Sequence, residues 1–488
     1  MRDTLFRLND GDSSNLQHQI REMVVSGILD GHIPPGSPLP SGRKLSQQLK
    51  VARNTVVLAY QQLVDEGYLE SRERSGYYVR DDVLSGRVPA RATPAKPRAI
   101  ETDWSTRIQH SVLDQRNIVK PANWRDYPYP FIYGQFDPAL FPIADWRDCS
   151  RNAVSVSSIY DWAGDRIDRD DPLLVEQIHT RLLPRRGLWA DEDQILITLG
   201  AQNALYLIAE LLIGEQTKVA MEEPGYPDAR NLFLSKTKHV YPVEVDNSGV
   251  TLSKKVDDCD YMYVTPSHHF PTTITMQLER REALLQRAAQ RDLVIIEDDY
   301  ENETNFVGDP TPALKSLDQT GRVVYIGSLS KTIAPGIRLG YLVAPPQIIR
   351  ETRALRRLML RHPPANNQHI VAQFIKRGHH DSLVRRLSHA YKERWQVLGQ
   401  ALSTHLPDAA RIPSFGGTSF WVEGPAKLDC CELQQCAKEQ GILIEPGDVF
   451  FMQEPIPKNY FRLGFSSIAV DRIEPGIAKL ATIIKQIS

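Results

Sequence analysis

No stretch of this 488-residue chain is apolar for long enough to cross a membrane as a helix, and the run from Ala204 to Ile213 is broken by Glu210. Its first residues set Arg2, Asp3 and Asp10 around a short apolar patch, so no signal peptide is expected. Cysteine is scarce. Cys149, Cys259, Cys430, Cys431 and Cys436 form an odd set without Cys-x-x-Cys spacing, which argues against a disulfide framework or a zinc site and fits a reducing cytoplasm. No metal site is expected. Excess charge of one sign is missing too: 58 basic and 60 acidic residues leave a net charge of −2, so attraction to nucleic acid must come from local arrangement. With 29 glycines and 33 prolines and no internal repeat, the chain is neither collagenous nor wholly disordered. What is present, 41% apolar and 24% charged residues, is a soluble globular composition long enough for at least two structural units.

The clearest break runs from Ser85 to Arg98, where Pro89, Pro94 and Pro97 sit among Ala and Arg without an acidic residue. The expected organisation is a small unit over 13–80, a linker over 81–126 and a large domain over 127–488. In the small unit Leu16, Ile20, Val24 and Ile28 recur every four residues on one helical face, and Gly31 with Pro34-Pro35-Gly36 stops that helix. Ser41 can cap a second, short helix ending at Leu49. Lys50 to Ala52 reads as a turn before a third helix, Arg53 to Glu66, with Val56, Tyr60 and Leu63 inside. Tyr68–Ser71 and Tyr77–Val79 read as strands around a tip in which Gly76 can take positive φ. Three helices and a hairpin in this order predict a winged helix-turn-helix.

Amphipathic helices alone would equally suit a small adaptor. The local charge decides differently: between Gly31 and Val64 stand Arg43, Lys44, Lys50 and Arg53 with no Asp or Glu, a stretch suited to face phosphate. Ile33-Pro34-Pro35-Gly36, Leu39-Pro40-Ser41-Gly42-Arg43, Val51 to Val56 and Glu66-Gly67-Tyr68-Leu69 resemble, in order, the GntR group of bacterial regulators. The resemblance implies that Arg43, Arg53, Asn54 and Thr55, with Arg72, Arg74 and Gly76 on the wing, contact double-stranded DNA.

In the large domain apolar, β-rich runs recur at Ile195–Thr198, Val219–Met221, Tyr261–Thr265, Leu293–Ile296 and Val323–Ile326. Strands that apolar are covered on both faces, which predicts a largely parallel α/β sheet with its ligands at the strands' carboxyl ends. Ser328-Leu329-Ser330-Lys331 follows the last of these runs, with Arg338 shortly after. A lone lysine is usually a solvated surface residue. One that attacks an aldehyde must instead lose its proton near neutral pH, beside other cations, while two serines and a planar arginine fork suit a phosphate.

Asp298 ends another run, where a buried carboxylate needs a cation such as the protonated ring nitrogen of pyridoxal phosphate. The bland alternative makes Glu297-Asp298-Asp299 an exposed acidic loop. Thr198 to Asn203 joins strand to helix and can cradle phosphate on its amides. Glu223-Pro224-Gly225-Tyr226-Pro227 offers a ring to lie on a pyridine, or is an ordinary tight turn. Arg462 lies within the apolar run Phe461–Phe465, where a carboxylate partner is the expected reason for burial.

These segments together resemble fold-type I pyridoxal-phosphate aminotransferases over about Tyr127 to Ser488. That similarity implies pyridoxal 5'-phosphate held as an internal aldimine on Lys331, with Asp298 at the ring nitrogen, Tyr300 at the phenolic oxygen and Tyr226 stacked. It further implies Gly200, Ala201, Gln202, Ser328, Ser330 and Arg338 around the phosphate, and Arg462 on the carboxylate of an amino acid. Both halves on one chain resemble the MocR/GabR subfamily of GntR regulators, as does Thr265 to Pro271, where Phe270 stands in place of the usual Asn. Thr273 replaces a usual Gly, and 164–174 lacks the Tyr and Gly of the segment that crosses the dimer.

The resemblance implies a cytoplasmic bacterial homodimer that reads paired half-sites and senses an amino acid, amine or amino sulfonate through aldimine exchange at Lys331 to control metabolic genes. An active aminotransferase with an accessory DNA-binding module is the alternative. A third reading, a degenerate domain without cofactor, is opposed by the retained Lys331, Asp298 and Arg338.

Overall fold

The computed structural model describes residues 8, 15–86, 102–109, 111–301, 303–305, 311–407, 409–411 and 416–487. The chain divides into two compact units, Met1–His110 and Ser111–Ser488.

In the first unit helices α1 (Leu16–Leu29), α2 (Gly42–Leu49) and α3 (Arg53–Asp65) precede strands β1 (Leu69–Arg72) and β2 (Gly76–Val79). Ile20, Val24 and Ile28 of α1 meet Val56, Tyr60 and Leu63 of α3 in one buried core, as the four-residue spacing requires. The Ser41 hydroxyl accepts from the Lys44 N–H and starts α2; Lys50, in the left-handed region, ends it. β1 and β2 pair antiparallel, Leu69 opposite Val79 and Arg72 opposite Gly76. Arg74 (φ 59°) and Gly76 (φ 108°) carry the left-handed geometry of the tip. The unit is the expected winged helix-turn-helix.

The second unit is built on an eight-stranded sheet. Its strands are β3 (Ile195–Thr198), β4 (Val219–Glu223), β5 (Val240–Asp246), β6 (Gly249–Val250), β7 (Tyr261–Val264), β8 (Val294–Asp299), β9 (Val323–Ser328) and β10 (Gly340–Val343). They lie in the order β3-β10-β9-β8-β7-β4-β5-β6. The five from β9 to β5 run parallel. Alternate residues supply two cores: Met221, Tyr263 and Ile296 pack on one face with helix α4 (Ala201–Leu212), while Ala220, Met262 and Ile295 pack on the other with helix α5 (Leu278–Arg291). The sheet departs from the expected parallel order at β10, which is antiparallel to both neighbours. The short connection Leu329–Leu339 is the reason, since a parallel return needs a crossover of a dozen residues or more.

A second, antiparallel sheet holds β11 (Ala410–Arg411), β12 (Ser419–Glu423), β13 (Glu445–Pro446) and β14 (Tyr460–Gly464) in the order β11-β12-β14-β13. Its register sets Glu445 directly opposite Arg462. Residues 111–126, expected as part of the linker, belong to the second unit. Asn231 and Arg230 donate to the Arg116 carbonyl, and the Arg116 guanidinium lies at the Phe451 carbonyl. The polar composition of this stretch resembles a linker because its partners are far away in sequence. Among the described residues no helix is long and apolar enough to cross a membrane, and no group of three or more His, Cys, Asp or Glu could hold a metal ion.

Candidate functional site

The carboxyl ends of the parallel strands open into a cavity of about 350 Å³. Its wall carries Ala201, Gln202, Tyr226, Asp298, Tyr300, Ser328, Ser330, Lys331 and Arg338, nine residues singled out in the sequence. Lys331 Nζ lies 4.3 Å from the centre of the Tyr133 ring, and a Cβ built on Gly134 would come within 3.0 Å of it. Burial pushes the Lys331 amine down to about 8, against the charge of Glu301. A usable share of the amine is therefore neutral near physiological pH.

The three acidic residues at the end of β8 are buried, not an exposed loop, and each has its own partners. Glu297 accepts from the Leu314 and Lys315 N–H groups. Asp299 accepts from the Arg186 guanidinium and the Tyr325 hydroxyl. Asp298 faces the cavity: Oδ2 accepts from the Tyr263 hydroxyl at 2.8 Å, while the buried Oδ1 has no hydrogen-bond partner. Burial raises the Asp298 carboxyl to about 7, with the Tyr263 hydrogen bond and Lys331 opposing.

A second end of the cavity suits an anion. Gly200 (φ 79°) turns the chain into α4, with Ala201 and Gln202 at its N-terminus on the wall. Gly200 itself is not on the wall: a Cβ there would sit 3.2 Å from Arg338 Nη2 and push the guanidinium back by a few tenths of an ångström, and its positive φ strains any other residue. Arg338 donates to the Leu199 carbonyl, and the Ser330 hydroxyl is tied to the Leu339 backbone. Unpartnered acid oxygen, neutral-capable lysine and anion cradle, in one cavity, are the donor set pyridoxal phosphate requires, so the residues present fit that group.

Between these ends Phe270 meets the rings of Tyr133, Tyr226, Tyr300 and Phe450 edge to face, at centroid distances of 5.0 to 5.8 Å. The Tyr226 hydroxyl lies 2.9 Å from Asp228 Oδ2. The Tyr300 hydroxyl donates to the His268 carbonyl at 2.9 Å, so in this structure it is directed to the backbone. Arg462 is wholly buried outside the cavity wall, and its carboxylate partner is the chain's own Glu445: Nε donates to Oε2 at 2.8 Å. Sequence reasoning missed Lys120, Tyr133, Tyr263 and Glu445. Only Tyr263, in a strand run, had a local signal.

In the first unit Arg43, Arg53 and Asn54 are exposed and Thr55 is half-buried. Ala52, at the N-cap of α3, makes no side-chain cap, so nothing from that residue covers the amides of the first turn. On the wing Arg72 stacks on Tyr78 at 4.2 Å and donates to Glu70, while Arg74 and Gly76 are exposed.

Residues 16–79 match the bacterial regulatory proteins of the gntR family, and residues 173–480 match the class I and II aminotransferases. The chain is 42% identical over 480 residues to the HTH-type transcriptional regulator TauR of Rhodobacter capsulatus, covering 98% of this chain and 99% of that protein. It is 31% identical over 471 residues to the probable rhizopine catabolism regulatory protein MocR of Rhizobium meliloti, covering 95% and 93% of the two. Among solved structures, an archaeal alanine:glyoxylate aminotransferase superposes with a TM-score of 0.69 at 27% identity, covering 75% of this chain and 96% of that one. The large unit thus has the fold-type I aminotransferase architecture.

Proposed function

Because the chain belongs to the MocR/GabR type of GntR regulators, DNA-binding transcriptional regulators with an aminotransferase-like domain, we propose that it holds pyridoxal phosphate at Lys331 and uses it to sense a small amino compound. An amino acid, amine or amino sulfonate takes over the link to the cofactor from Lys331, and control of metabolic genes follows in the bacterial cytoplasm. The observation that carries this reading is the buried, unpartnered Oδ1 of Asp298 on the same wall as Lys331. Such an acid oxygen costs about 1–3 kcal/mol until a donor meets it.

When bound, the cofactor supplies an aldehyde that condenses reversibly with primary amines. Asp298 would hold the ring nitrogen, Tyr226 the ring face, and Ala201, Gln202, Ser328, Ser330 and Arg338 the phosphate, with Gly200 leaving room for the arginine. Tyr300 would meet the phenolic oxygen, its hydroxyl turning from the His268 carbonyl. Arg462, paired with Glu445 through Nε, would meet the carboxylate of the ligand with its buried Nη2, which has no hydrogen-bond partner. A ligand shifts the regulator only by its differential affinity for two arrangements.

Purified protein is expected to show a visible absorption band that primary amines alter and that Lys331→Ala abolishes. A colourless preparation reconstituted with excess cofactor would overturn the reading, as would sustained transamination over many cycles.

At the DNA end we assign Arg43, Arg53, Asn54 and Thr55 to the operator's major groove, with Arg72, Arg74 and Gly76 on the wing. Two half-sites call for a homodimer. Arg53→Ala is expected to weaken operator binding by about 1–3 kcal/mol, the worth of one bidentate base contact. A gel-shift titration that finds the variant equal to wild type would remove Arg53 from that role.

A further inference from the structure

Helix α3 sets Val56, Ala59, Tyr60 and Leu63 into the core and turns Asn54, Leu58 and Gln61, spaced four and three residues apart, to the other side, where all three are exposed. Both flanks of that exposed strip are occupied. On one, Val57 is half-buried at the start of α2, where a Cβ built on Gly42 would come within 3.3 Å of it. On the other, the Gln62 side chain accepts from Gln17 of α1 and donates to Glu66. Leu58 between them is 54% exposed, the most exposed large apolar side chain among the described residues of α1, α2 and α3.

A single exposed leucine is ordinary on a protein surface. This one is set apart by its company. It follows Asn54 by one helical turn, the same unit exposes Arg53 at the start of α3 with Arg43 and Lys44 at the start of α2, and no Asp or Glu occurs from Gly31 to Val64. A surface so charged is complementary to the phosphates that line the grooves of a duplex, and the major groove admits a helix. A leucine there can exchange no hydrogen bond with a base edge. The one methyl group that the bases present in the major groove is the C5 methyl of thymine, so contact with it is the favourable sequence-dependent interaction open to Leu58.

We infer that Leu58 is a specificity-determining residue, which selects thymine at one position of each operator half-site by packing on its C5 methyl. This rests on α3 lying in the operator's major groove. The test starts from duplexes that the full chain selects out of a random-sequence pool. In a selected duplex each thymine is replaced in turn by uracil, which removes the methyl and leaves the pairing edge unchanged, and affinities are read by fluorescence anisotropy at several salt concentrations.

Wild type is expected to lose about fourfold in affinity when uracil takes the place of one thymine of a half-site, the worth of one buried carbon group. Leu58→Gln, an exposed change to a good helix former, should bind the thymine and uracil duplexes within about 1.5-fold of each other, while Leu58→Met should keep the difference. The slope of log affinity against log salt should be the same for all three proteins, since no phosphate contact is lost. A selected duplex in which no uracil weakens wild type overturns the inference, as does a Leu58→Gln variant that keeps the wild-type difference. A variant that changes the oligomeric state while keeping that difference marks Leu58 as a contact between copies and overturns it likewise. A full chain that selects no sequence at all marks instead the failure of the major-groove reading itself.

Discussion

Arg186→Ala is expected to lower the unfolding free energy of the large unit by about 3–5 kcal/mol, the range for breaking one side of a buried ion pair. Arg186 and Asp299 are both almost fully buried, with Nε 2.7 Å from Oδ2. The same guanidinium donates to the Ser267 hydroxyl at 2.8 Å and the Thr311 carbonyl at 2.9 Å, so its loss strands three acceptors, one of them charged. Burial pushes the Asp299 carboxyl up, but Arg186 and the hydrogen bonds outweigh it and hold it below the usual carboxylate value. A surface pair in the same unit gives the scale: Arg280 and Asp246 meet at 2.9 Å but are partly exposed, and such pairs contribute about 1 kcal/mol or less. Denaturant midpoints at unchanged slope compare the two. A shift for Arg186→Ala no larger than that for Arg280→Ala would contradict the burial argument.

The second large effect is in pH dependence. His269 and Glu222 are buried beside each other, Nε2 3.7 Å from Oε2, and Glu222 accepts from the hydroxyl of Thr265, a residue of the cavity wall. Burial lowers His269 from 6.5 to about 3 and raises Glu222 from 4.5 to about 8, so both are neutral in the folded chain over a wide range. The signs are opposite. The contribution of His269 is complete above pH 6.5 and is lost as pH falls toward 3, because only the unfolded chain takes up that proton. The contribution of Glu222 is complete below pH 4.5 and is lost as pH rises through 8, because only the unfolded chain gives that proton up. Each slope approaches about 1.4 kcal/mol per pH unit, so between pH 4.5 and 6.5 the two largely cancel in wild type. The variants separate them. Glu222→Gln should gain on wild type as pH rises from 5 to 8, by several kcal/mol, and His269→Gln should gain on it as pH falls below 6.5. Stability profiles that stay parallel across this range would mean that the pair is not buried in its neutral form.

Much of this molecule was legible because local chemistry decided it. The four-residue spacing from Ile20 to Ile28, with Leu16 at its exposed end, the Ser41 cap and the run ending in Asp298 each reflect interactions within a few residues. The antiparallel course of β10 was not legible from its composition, since Gly340–Val343 is as apolar as a parallel strand and is buried like one. Lys120 shows the other kind of miss. Lys120 lies in irregular chain, its partner Glu445 lies on the antiparallel sheet more than 300 residues away, and nothing periodic surrounds it. Arg462 was an intermediate case: burial in an apolar strand correctly announced a carboxylate, and the cross-strand register supplied one from within the chain.

The segment from Ser111 to Lys120 is the first ten residues of the large unit, and its last residue forms part of the chamber wall. Arg116, midway along it, is held by the Phe451 carbonyl and by Arg230 and Asn231, so a truncation that removed this segment would take these hydrogen bonds and a wall residue from the large unit together.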